Sequence, residues 1–450
     1  MPALAPEAPG KNDLRAENKS YRNLYILLFL SGFILRFGFA LWRKTYVRYP
    51  PSILPFGLEI CSIAAHIVRG QGYSSPFLVD TGPTAWIAPV YPYMVAVVFR
   101  LFGIFSQTSA LVIIGIQCVM AGATCVTIHA LGRRTIGPNL ALWAAWIFTV
   151  SPIFFRWPVS WIWDFTASAL LLSIALIFSL DAAEDGRKRS WLKLGAIWAL
   201  IALTNPALLA VLPFSFGYAT YMRYRERRDW VRSLALSGAV FAVLVAPWLI
   251  RNDLVFGQPV FFRGNMWFEF HLGNYHGSNG MGFSGKHPTN NARELQRYSE
   301  MGELRYIQWA KEDALKFVRQ DPGEFLELSL HRAWWFWDGT PLLYWSPEWW
   351  KPWKFWPLSV LAWLGLLFVL TRRPRGWILY AAVLVVYPMP YYLIYPVAKY
   401  RHAIEPEMVL LSVYFGSVVW SEVRSVVRRR QLGRASSSGP ENLDARAIAR

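Results

Sequence analysis

The sequence predicts an all-α polytopic membrane protein with about ten transmembrane helices, on the basis of its composition, its apolar runs and its charge distribution. Apolar residues make up 54% of the 450 residues and charged residues 16%. Soluble globular proteins contain about 45–50% and about 25% of these classes. A soluble protein of this length could not bury so much apolar surface. The same composition excludes intrinsic disorder, collagen and coiled coil.

Apolar runs define the predicted membrane spans. A helix needs about 20 residues to cross the lipid, and about 17 at the least. Residues 191–221 are therefore interpreted as a short hairpin, broken at Thr204-Asn205-Pro206. The polar residues 1–23 contain no apolar run with a cleavage site, and no removable signal peptide is expected. The predicted spans are residues 24–42, 109–131, 139–156, 160–181, 191–203, 205–221, 233–250, 357–371, 377–396 and 405–421.

Basic residues predict the orientation of these spans. The net charge is +18, but arginines and lysines are scattered in short clusters between apolar runs rather than gathered in one basic domain. This distribution argues against a nucleic-acid partner. Clusters at 133–134, 187–189, 223–232, 372–375 and 424–430 fall on one side, and the short connections on the other side hold only Arg156, Lys399 and Arg401. The positive-inside rule makes the arginine-rich side and both termini cytoplasmic.

The predicted organisation is a cytoplasmic tail (1–23), one transmembrane domain (24–421) and a disordered cytoplasmic tail (422–450). Two long outer segments, residues 43–108 and 251–356, leave this domain. Residues 334–356 are rich in tryptophan, which prefers the headgroup level of a membrane. They predict a helix on the outer membrane surface, with a lipid-binding groove as the alternative. The three cysteines, Cys61, Cys118 and Cys125, are too few for a disulfide framework or a zinc site.

One stretch of the first outer segment has helical spacing of its polar residues. They recur at offsets 0, 3, 7 and 10, which places them on one face of a helix. This spacing predicts an amphipathic helix at the membrane surface whose polar face is turned to water, or alternatively to a cavity. Gly70 and Gly72 are expected to end this helix. The polar residues are Glu59, Ser62, His66 and Arg69.

A series of short motifs from about residue 24 to 421 resembles the GT-C glycosyltransferases. The similarity is greatest to the branch of protein O-mannosyltransferases and the lipid A aminoarabinose transferase, which is glycosyltransferase family 39-like. The motifs lie mostly in predicted outer loops and keep the family's order. They are Glu59, Gly70-Gln71-Gly72-Tyr73, Pro89-Val90-Tyr91-Pro92, Thr204-Asn205-Pro206, Ala246-Pro247-Trp248-Leu249-Ile250-Arg251-Asn252, Gly273-Asn274 and Lys399-Tyr400-Arg401.

The resemblance implies a GT-C-like fold with amphipathic juxtamembrane helices, and a hexosyl- or pentosyltransferase. Such an enzyme takes its sugar from a polyprenyl-phosphate donor at the outer face of a bacterial-type cytoplasmic (inner) membrane. Glu59 occupies the place of the family's catalytic base, which accepts the proton of an attacking hydroxyl. Single displacement would invert the anomeric centre. The family's O-mannosyltransferases have an Asp-Glu pair where this chain has Leu58-Glu59, so the acceptor class (glycan, lipid or protein) stays open.

A leaving lipid phosphate needs cations near it. Arg251, with the neighbouring Asn252, follows a predicted span directly, and Lys399 and Arg401 lie in the last outer loop. These residues are predicted to converge on the phosphate. The alternative is that the cations anchor the protein among ordinary phospholipid headgroups.

Five further residues are candidate substrate contacts. Asn274 is expected to hydrogen-bond the sugar or the phosphate. Asp164 lies near the outer end of a predicted span, where an acid is costly and usually partnered. It either pairs with a basic residue such as Arg156 or lines the acceptor pocket. The remaining candidates are Tyr91, His66 and Arg69.

No metal or other cofactor is expected. Glu269, His271, His276 and His287 offer ligand types that metals use, but their spacing fits no standard site. The rival function is a transporter or flippase of a lipid-linked sugar, with Glu59 and Asp164 as proton-coupling acids. The absence of an internal repeat argues against it, and few charges fall within spans, namely Arg36, Asp164 and Lys193. A non-catalytic binding module is a third alternative.

Overall fold

Helices make up most of the structure, a computed structural model that describes residues 11–47, 57–185, 187–282, 284–339 and 355–437. Within these ranges the only extended pairing is one isolated bridge between Ser74 and Pro83. The predicted all-α class is therefore confirmed.

The α-helices follow one another with short connections. They are α1 (Lys11–Arg43), α2 (Leu58–Val68), α3 (Val90–Phe102), α4 (Gln107–Thr135), α5 (Pro138–Val150), α6 (Arg156–Ser160), α7 (Phe165–Glu184), α8 (Lys188–Ala202), α9 (Leu212–Arg225), α10 (Val231–Phe256), α11 (Met266–Gly273), α12 (Ala292–Met301), α13 (Glu303–Gln320), α14 (Pro322–Asp338), α15 (Trp356–Arg372), α16 (Trp377–Ala381), α17 (Met389–Leu393) and α18 (Glu405–Ser437). A π-helical turn, Ala382–Val386, continues α16 towards α17.

Each predicted span coincides with helical structure. Among the described residues, five helical segments are long and apolar enough to cross a membrane: Tyr21–Arg43, Gln107–Thr135, Phe165–Glu184, Val231–Phe256 and Ala398–Arg429. The other predicted spans correspond to shorter helices, so the total of ten stays a prediction. The predicted break of the hairpin is present, because α8 ends at Ala202 and the Asn205 side chain accepts a hydrogen bond from the Ala207 N–H.

Both predicted tails are partly helical, which corrects the boundaries drawn from the sequence. Helix α1 begins at Lys11, twelve or so residues before the first apolar run, and α18 continues to Ser437, past the predicted end of the last span at 421. The disorder predicted from residue 422 is therefore wrong as far as Ser437. Helices propagate beyond an apolar run because each added residue completes one more backbone hydrogen bond.

The apolar helices pack around α4 and α18. Helix α4 contacts α1, α5 and α7, while α18 packs against α15 and α5. Close approach depends on small residues: a Cβ on Gly365 would lie 2.1 Å from the Leu411 carbonyl oxygen of α18. Without a side chain at this position the α15 and α18 backbones can meet, as helices in membranes commonly do.

Charged side chains inside these helices are held by neighbours. The Arg36 guanidinium donates to the Phe148 carbonyl at 2.8 Å, at the end of α5. Two acids of α18, Glu405 and Glu407, are both buried and were not identified from the sequence. Glu405 contacts His402 at 2.7 Å, and Glu407 accepts a hydrogen bond from Ser173 at 2.7 Å.

The two outer segments form a second apolar core beside the helical bundle. It contains Tyr73 and Trp86 from the first segment and Phe268 and Tyr298 from the second. This packing corrects the predicted water-exposed stripe of α2. Ser62 and His66 are buried, because the chain from residue 72 to 78 folds over them, and Ser62 donates to the Ser75 carbonyl at 2.6 Å.

The tryptophan-rich stretch is described only in part. Trp334, Trp335 and Trp337 lie on α14, and Trp356 begins α15. The predicted surface helix over the remaining tryptophans, which fall within 340–354, lies outside the described residues.

Candidate active site

A pocket of about 300 Å³ lies where the second outer segment meets the start of α7, the residues after α8 and the connection from α17 to α18. Its walls are mostly aromatic and apolar, and its polar groups come from four separate stretches of chain. The lining residues are Trp163, Asp164, Phe165, Asn205, Pro206, Ala207, Ala210, Arg263, Asn265, Met266, Glu269, Pro390, Tyr391, Ile394 and Tyr400.

Gly57 positions Glu59 near this pocket. It precedes α2 in a left-handed conformation, with φ of 59°. A Cβ at this position would lie 2.0 Å from the Ile162 carbonyl oxygen and 2.8 Å from the Trp163 ring. Only glycine combines this backbone conformation with such close approach. The first turn of α2, which carries Glu59, is therefore fixed against the segment that leads to Asp164.

Glu59 is held from the other side by His287 of the second outer segment. The Nε2 atom of His287 lies 3.3 Å from Oε1 of Glu59, and both side chains are largely buried. The Nδ1 atom accepts a hydrogen bond from the Thr289 backbone N–H at 3.2 Å. A backbone N–H can only donate, so Nδ1 carries no proton and the neutral ring has its proton on Nε2. His287 thus turns its N–H-bearing nitrogen to the Glu59 carboxylate at ion-pair distance.

Lys399 places a positive charge at the pocket. Its ammonium lies 5.0 Å from the centre of the Trp163 ring and 5.3 Å from that of Phe165, two residues of the pocket wall. Aromatic faces stabilise an ammonium without neutralising it. Glu59, Glu269 and Asp164 all lie within electrostatic range of this ammonium. The predicted cation therefore lies against the pocket wall, within electrostatic range of the predicted base.

Arg263 provides a second cation in the pocket wall. Its guanidinium lies 3.0 Å from Glu269 Oε1, and Asn265 also donates to that oxygen, at 2.8 Å. The Tyr395 hydroxyl donates to the other carboxylate oxygen of Glu269. Arg263, Asn265, Glu269 and Tyr395 thus form one hydrogen-bonded group that joins the second outer segment to the α17–α18 connection.

Asp164 faces the pocket with a carboxyl oxygen that has no partner among the described residues. It is 4% exposed, and its Oδ1 atom makes no hydrogen bond within the described chain. Helix α7 begins only at Phe165, so Asp164 precedes the apolar span. Burial raises the pKa of its carboxyl to about 7, against the opposing charges of Arg263 and Lys399. Of the two predicted roles, the structure places it on the pocket wall.

Tyr91 positions the Asp164 segment and does not line the pocket. Its hydroxyl donates to the Gln117 side-chain oxygen, which also accepts from the Trp163 N–H at 3.3 Å. The amide nitrogen of Gln117 donates to the carbonyls of Pro158 and Trp161, at 2.7 and 3.1 Å. This buried network fixes the backbone immediately before Asp164.

Arg251 does not reach the pocket, contrary to the sequence prediction. Its guanidinium donates to the carbonyls of Tyr73 and Thr84, at 2.8 and 2.7 Å, and lies 5.1 Å from the Trp248 ring. The neighbouring Asn252 donates to the Val260 and Phe261 carbonyls, each at 3.0 Å. Both residues are committed to backbone carbonyls of irregular loops, which have few other donors. They fasten the outer segments to α10.

Arg401 is likewise directed away from the pocket. It is 1% exposed and donates to the Ser359 hydroxyl at 2.9 Å and to the Trp337 carbonyl at 3.2 Å. Its second terminal nitrogen lies 3.6 Å from Glu405. A guanidinium offers several donors in a fixed plane, which suits a junction of several elements. Arg401 joins α14, α15 and α18, and the predicted convergence with Lys399 on one phosphate is wrong.

Asn274 is a structural residue of the second outer segment. It is buried, donates to the Leu393 carbonyl at 2.9 Å and accepts from Arg332 at 3.0 Å. Arg332 is itself buried and donates to the Gly280 and Leu393 carbonyls, at 3.0 and 2.9 Å. Burial lowers the pKa of Arg332 to about 10. The predicted sugar or phosphate contact of Asn274 is thus replaced by contacts that hold the loop from Gly273 onward.

His66 and Arg69 do not face the pocket either. His66 is buried under the first outer segment, where its Nδ1 atom lies 2.8 Å from the Ser62 carbonyl oxygen. Arg69 is exposed at the other end of α2 from Glu59.

The four residues considered as metal ligands lie at four different places. Glu269 is bonded to Arg263, and His287 to Glu59. His271 lies 3.3 Å from Asp313, and His276 lies 3.4 Å from Asp321. The one ligand-type group found among the described residues combines His276 with Asp321 and Glu324, of which His276 and Asp321 are exposed.

Glu303 joins the outer segments and was not noticed in the sequence. One carboxylate oxygen accepts from the Ala85 N–H at 2.8 Å, and the other accepts from the hydroxyls of Tyr298, at 2.8 Å, and Thr84. Burial raises the pKa of Glu303, and these hydrogen bonds oppose the change. It fixes the loop that carries Trp86 beneath His287.

Two residues of the pocket wall, and one that contacts Glu59, were missed by sequence reasoning or assigned another role. Arg263 was not considered, and Glu269 and His287 were weighed only as metal ligands. Their functional neighbours lie far away in the sequence: His287 contacts Glu59, and Glu269 contacts Tyr395. Only one feature of the sequence indicated a role of Arg263 and Glu269 in the site: both lie in the first part of an outer segment, next to a predicted span.

Comparisons with known proteins agree with this architecture. The family model described as dolichyl-phosphate-mannose-protein mannosyltransferase matches residues 86–250. The oligosaccharyltransferase of Archaeoglobus fulgidus, in complex with zinc and sulfate, is 16% identical, with 92% of this chain aligned to 51% of that chain at a TM-score of 0.51. Its apo form is 13% identical, with 92% of this chain aligned to 52% of that chain at a TM-score of 0.50.

A bacterial structure is also similar. ArnT from Cupriavidus metallidurans, bound to undecaprenyl phosphate, is 14% identical, with 88% of this chain aligned to 77% of that chain at a TM-score of 0.40. No curated protein matches the chain significantly. The chain spans about half the length of the oligosaccharyltransferase. As the sequence motifs predicted, the protein has the fold of the GT-C superfamily of membrane glycosyltransferases.

Proposed function

We propose that the protein transfers a hexosyl or pentosyl group from a polyprenyl-phosphate donor to an acceptor hydroxyl at the outer face of the membrane. One observation carries the proposal. Close to the Trp163 wall of the pocket lie a carboxylate that faces an imidazole nitrogen (Glu59 with His287) and a cation among aromatic rings that forms no ion pair within the described residues (Lys399). A hydroxyl nucleophile needs the first group, and a phosphate leaving group needs the second.

Glu59 acts as the general base in this reaction. As the acceptor oxygen forms its bond to the anomeric carbon, its proton passes to the Glu59 carboxylate. The bond between the anomeric carbon and the phosphate oxygen breaks, and its electron pair remains on the phosphate. With one displacement the anomeric configuration inverts. His287 keeps the accepting oxygens aimed at the nucleophile and, as a neutral donor, does not compete as a base.

Lys399 binds the phosphate of the donor, assisted by Arg263. Positive charge already in place lowers the cost of the negative charge that develops on the leaving group. The tryptophan and phenylalanine around Lys399 limit its hydration and strengthen this attraction. The family description names a dolichyl-phosphate sugar as donor, which supports a polyprenyl phosphate as the lipid carrier here.

Asp164 is the proposed contact for a hydroxyl of the acceptor or of the donor sugar. Its free Oδ1 atom is a hydrogen-bond acceptor on the pocket wall. Hydroxyl groups satisfy buried carboxyl oxygens well, and a buried oxygen without a partner costs about 1–3 kcal/mol. The scattered arginines of the opposite side support the outward orientation of the pocket, and a bacterial-type inner membrane is the proposed location.

The test is Glu59→Gln in the purified protein, assayed with polyprenyl-phosphate mannose and other polyprenyl-phosphate sugars. Glutamine keeps the shape but accepts no proton, and the expected loss of turnover is about 10²–10⁴-fold. Donor binding, measured by native mass spectrometry, should be unchanged. Near wild-type turnover would remove Glu59 as the base. Movement of the lipid-linked sugar across a vesicle membrane without any transfer would favour a flippase.

A further inference from the structure

A basic notch opens at the end of the helical bundle that carries most arginines, far along the helices from the pocket. It lies where the first apolar turns of α1 pack against the last turns of α4, and its volume is about 490 Å³. The lining residues are Tyr21, Arg22, Tyr25, Ile26, Phe29, Leu30 and Arg133. None of them takes part in the site described above.

Two arginines form the polar part of the notch. The Arg133 guanidinium lies 4.7 Å from the centre of the Tyr21 ring, which holds it in place, and Arg22 is exposed. Neither arginine forms an ion pair with any of the described side chains, which in α1 are those from Tyr21 onward. Elsewhere on the same side, Arg134 is bound by Asp181 at 2.6 Å and by Glu184 at 2.9 Å. Among these side chains, no acid neutralises the charge of the notch.

The hydroxyl of Tyr25 also lacks a partner. It is enclosed and makes no hydrogen bond within the described chain. The ring packs edge-on against His129 of α4, with 5.5 Å between ring centres, so that its orientation is fixed. An enclosed hydroxyl without an acceptor costs about 1–3 kcal/mol, and an anionic oxygen in the notch would provide one.

An apolar strip continues from the arginines towards the middle of α1. Arg22, Ile26 and Leu30 follow one another at intervals of four residues, so they lie on one face of the helix. Ile26 is 51% exposed and Leu30 45% exposed. A cationic end followed by an apolar strip along a membrane-spanning helix matches an anionic headgroup followed by its acyl chain.

We propose that this notch binds an anionic phospholipid of the cytoplasmic leaflet. Arg22 and Arg133 bind the phosphate, the Tyr25 hydroxyl donates to one of its oxygens, and an acyl chain lies along Ile26 and Leu30. Basic pockets between helices on the arginine-rich side are suited to anionic lipids. The bound lipid fastens α1 to α4 at the end of the bundle.

The experiment titrates the purified full-length protein with phosphatidylglycerol or phosphatidylcholine and measures bound lipid by native mass spectrometry. Wild type is expected to prefer phosphatidylglycerol. An arginine near anionic lipid contributes about 1 kcal/mol, or about fivefold, so Arg22→Gln and Arg133→Gln should each weaken phosphatidylglycerol binding about fivefold, and Tyr25→Phe somewhat less.

Arg187→Gln is the matched control, because Arg187 is exposed on the same side and outside the notch. It should leave the affinity unchanged. Equal affinity of wild type for the two lipids would overturn the proposal, as would unchanged binding in both notch variants. An equal loss in Arg187→Gln would also overturn it, since overall charge would then account for the binding. If Arg133→Gln does not fold, the phosphatidylglycerol affinity of Arg22→Gln decides the test by itself.

Discussion

Replacement of His287 by alanine should reduce turnover while leaving donor binding intact. The Nε2 atom of His287 lies 3.3 Å from the Glu59 carboxylate, and the Thr289 N–H bonded to Nδ1 leaves the ring proton on the nitrogen that faces Glu59. Without it, Glu59 keeps its ability to accept a proton but loses the contact that aims its oxygens. A misaimed base slows the step in which the acceptor proton moves, and it does not change how the donor phosphate binds.

The magnitude follows from the geometry of this contact. Hydrogen bonds to charged groups contribute about 1.5–3 kcal/mol, and the strong ones have donor–acceptor distances of about 2.7–2.9 Å. Because the His287–Glu59 distance is longer, the lower value of about 1.5 kcal/mol applies. At about 1.4 kcal/mol per decade of rate, His287→Ala should lower kcat about tenfold, with the donor KM nearly unchanged.

The assay compares four proteins at saturating donor. His287→Gln offers an amide N–H at nearly the reach of Nε2 and should recover most of the lost rate. His276→Ala is the control within the same outer segment, because His276 is exposed and pairs with Asp321 rather than with Glu59. It should match wild type.

Three results would refute this reasoning. Wild-type turnover of His287→Ala would show that Glu59 needs no orienting donor. A similar loss in His276→Ala would mean that the whole segment is disturbed. Failure of His287→Gln to recover activity would mean that the ring acts by packing, since it lies against Phe77 and Phe268 with 5.7 and 5.3 Å between ring centres.

Three further predictions concern donor binding and stability. Lys399→Gln should raise the donor KM about 30-fold, because it removes a charged contact to the phosphate that contributes about 2 kcal/mol. Arg401→Lys should instead lower Tm and leave the donor KM unchanged, since a lysine cannot reach Ser359 and the Trp337 carbonyl together. An altered donor KM in Arg401→Lys would return that residue to the phosphate site. Burial and the nearby Lys286 charge lower the pKa of His271 to about 4 from an ordinary value of 6.5. The unfolded chain therefore binds the proton first as pH falls, and by pH 5 the protein should lose about 2 kcal/mol of stability relative to pH 7. The Tm of His271→Phe should depend less on pH over this range, and an equal slope for both proteins would exclude His271 as the cause.

Composition and run length were sufficient to predict the membrane-protein class and the approximate positions of the helices in the predicted spans, but not the apolar helix α3 (Val90–Phe102) of the first outer segment. Both are properties of neighbouring residues in the chain, so they can be read from a single sequence. The ends of helices were less well predicted, as at Lys11 and Ser437, because polar residues continue a helix without changing its apolar pattern. The buried face of α2 was also missed. Its residues have ordinary amphipathic spacing, and only the chain from residue 72 to 78, folded over Ser62, turns a polar stripe into an interior one.

Within the site, the sequence identified charges but could not tell which of them were already bonded. Of the predicted residues, Asp164 lines the pocket, Lys399 lies against its aromatic wall, and Glu59 is within electrostatic range of Lys399. Arg251 and Arg401 were predicted with equal reason and are committed elsewhere. Whether a cation is free or already bonded depends on backbone carbonyls of distant loops. Arg251, for example, donates to the carbonyl of Tyr73, and no rule of sequence spacing connects these two positions.

The structural arginines and the pocket lysine differ in a way that explains their separate roles. Arg251, Arg332 and Arg401 each donate to several backbone carbonyls or side-chain oxygens at junctions between elements. A planar group with five donors suits such a junction, and these contacts direct the three guanidinium groups to the elements that they join rather than to the pocket. Lys399 is instead surrounded by aromatic faces, which hold its ammonium in position without using its three N–H donors. A site that must bind and release a phosphate needs a cation of this second kind. The choice of lysine here, among 46 arginines and lysines, is therefore what the proposed chemistry requires.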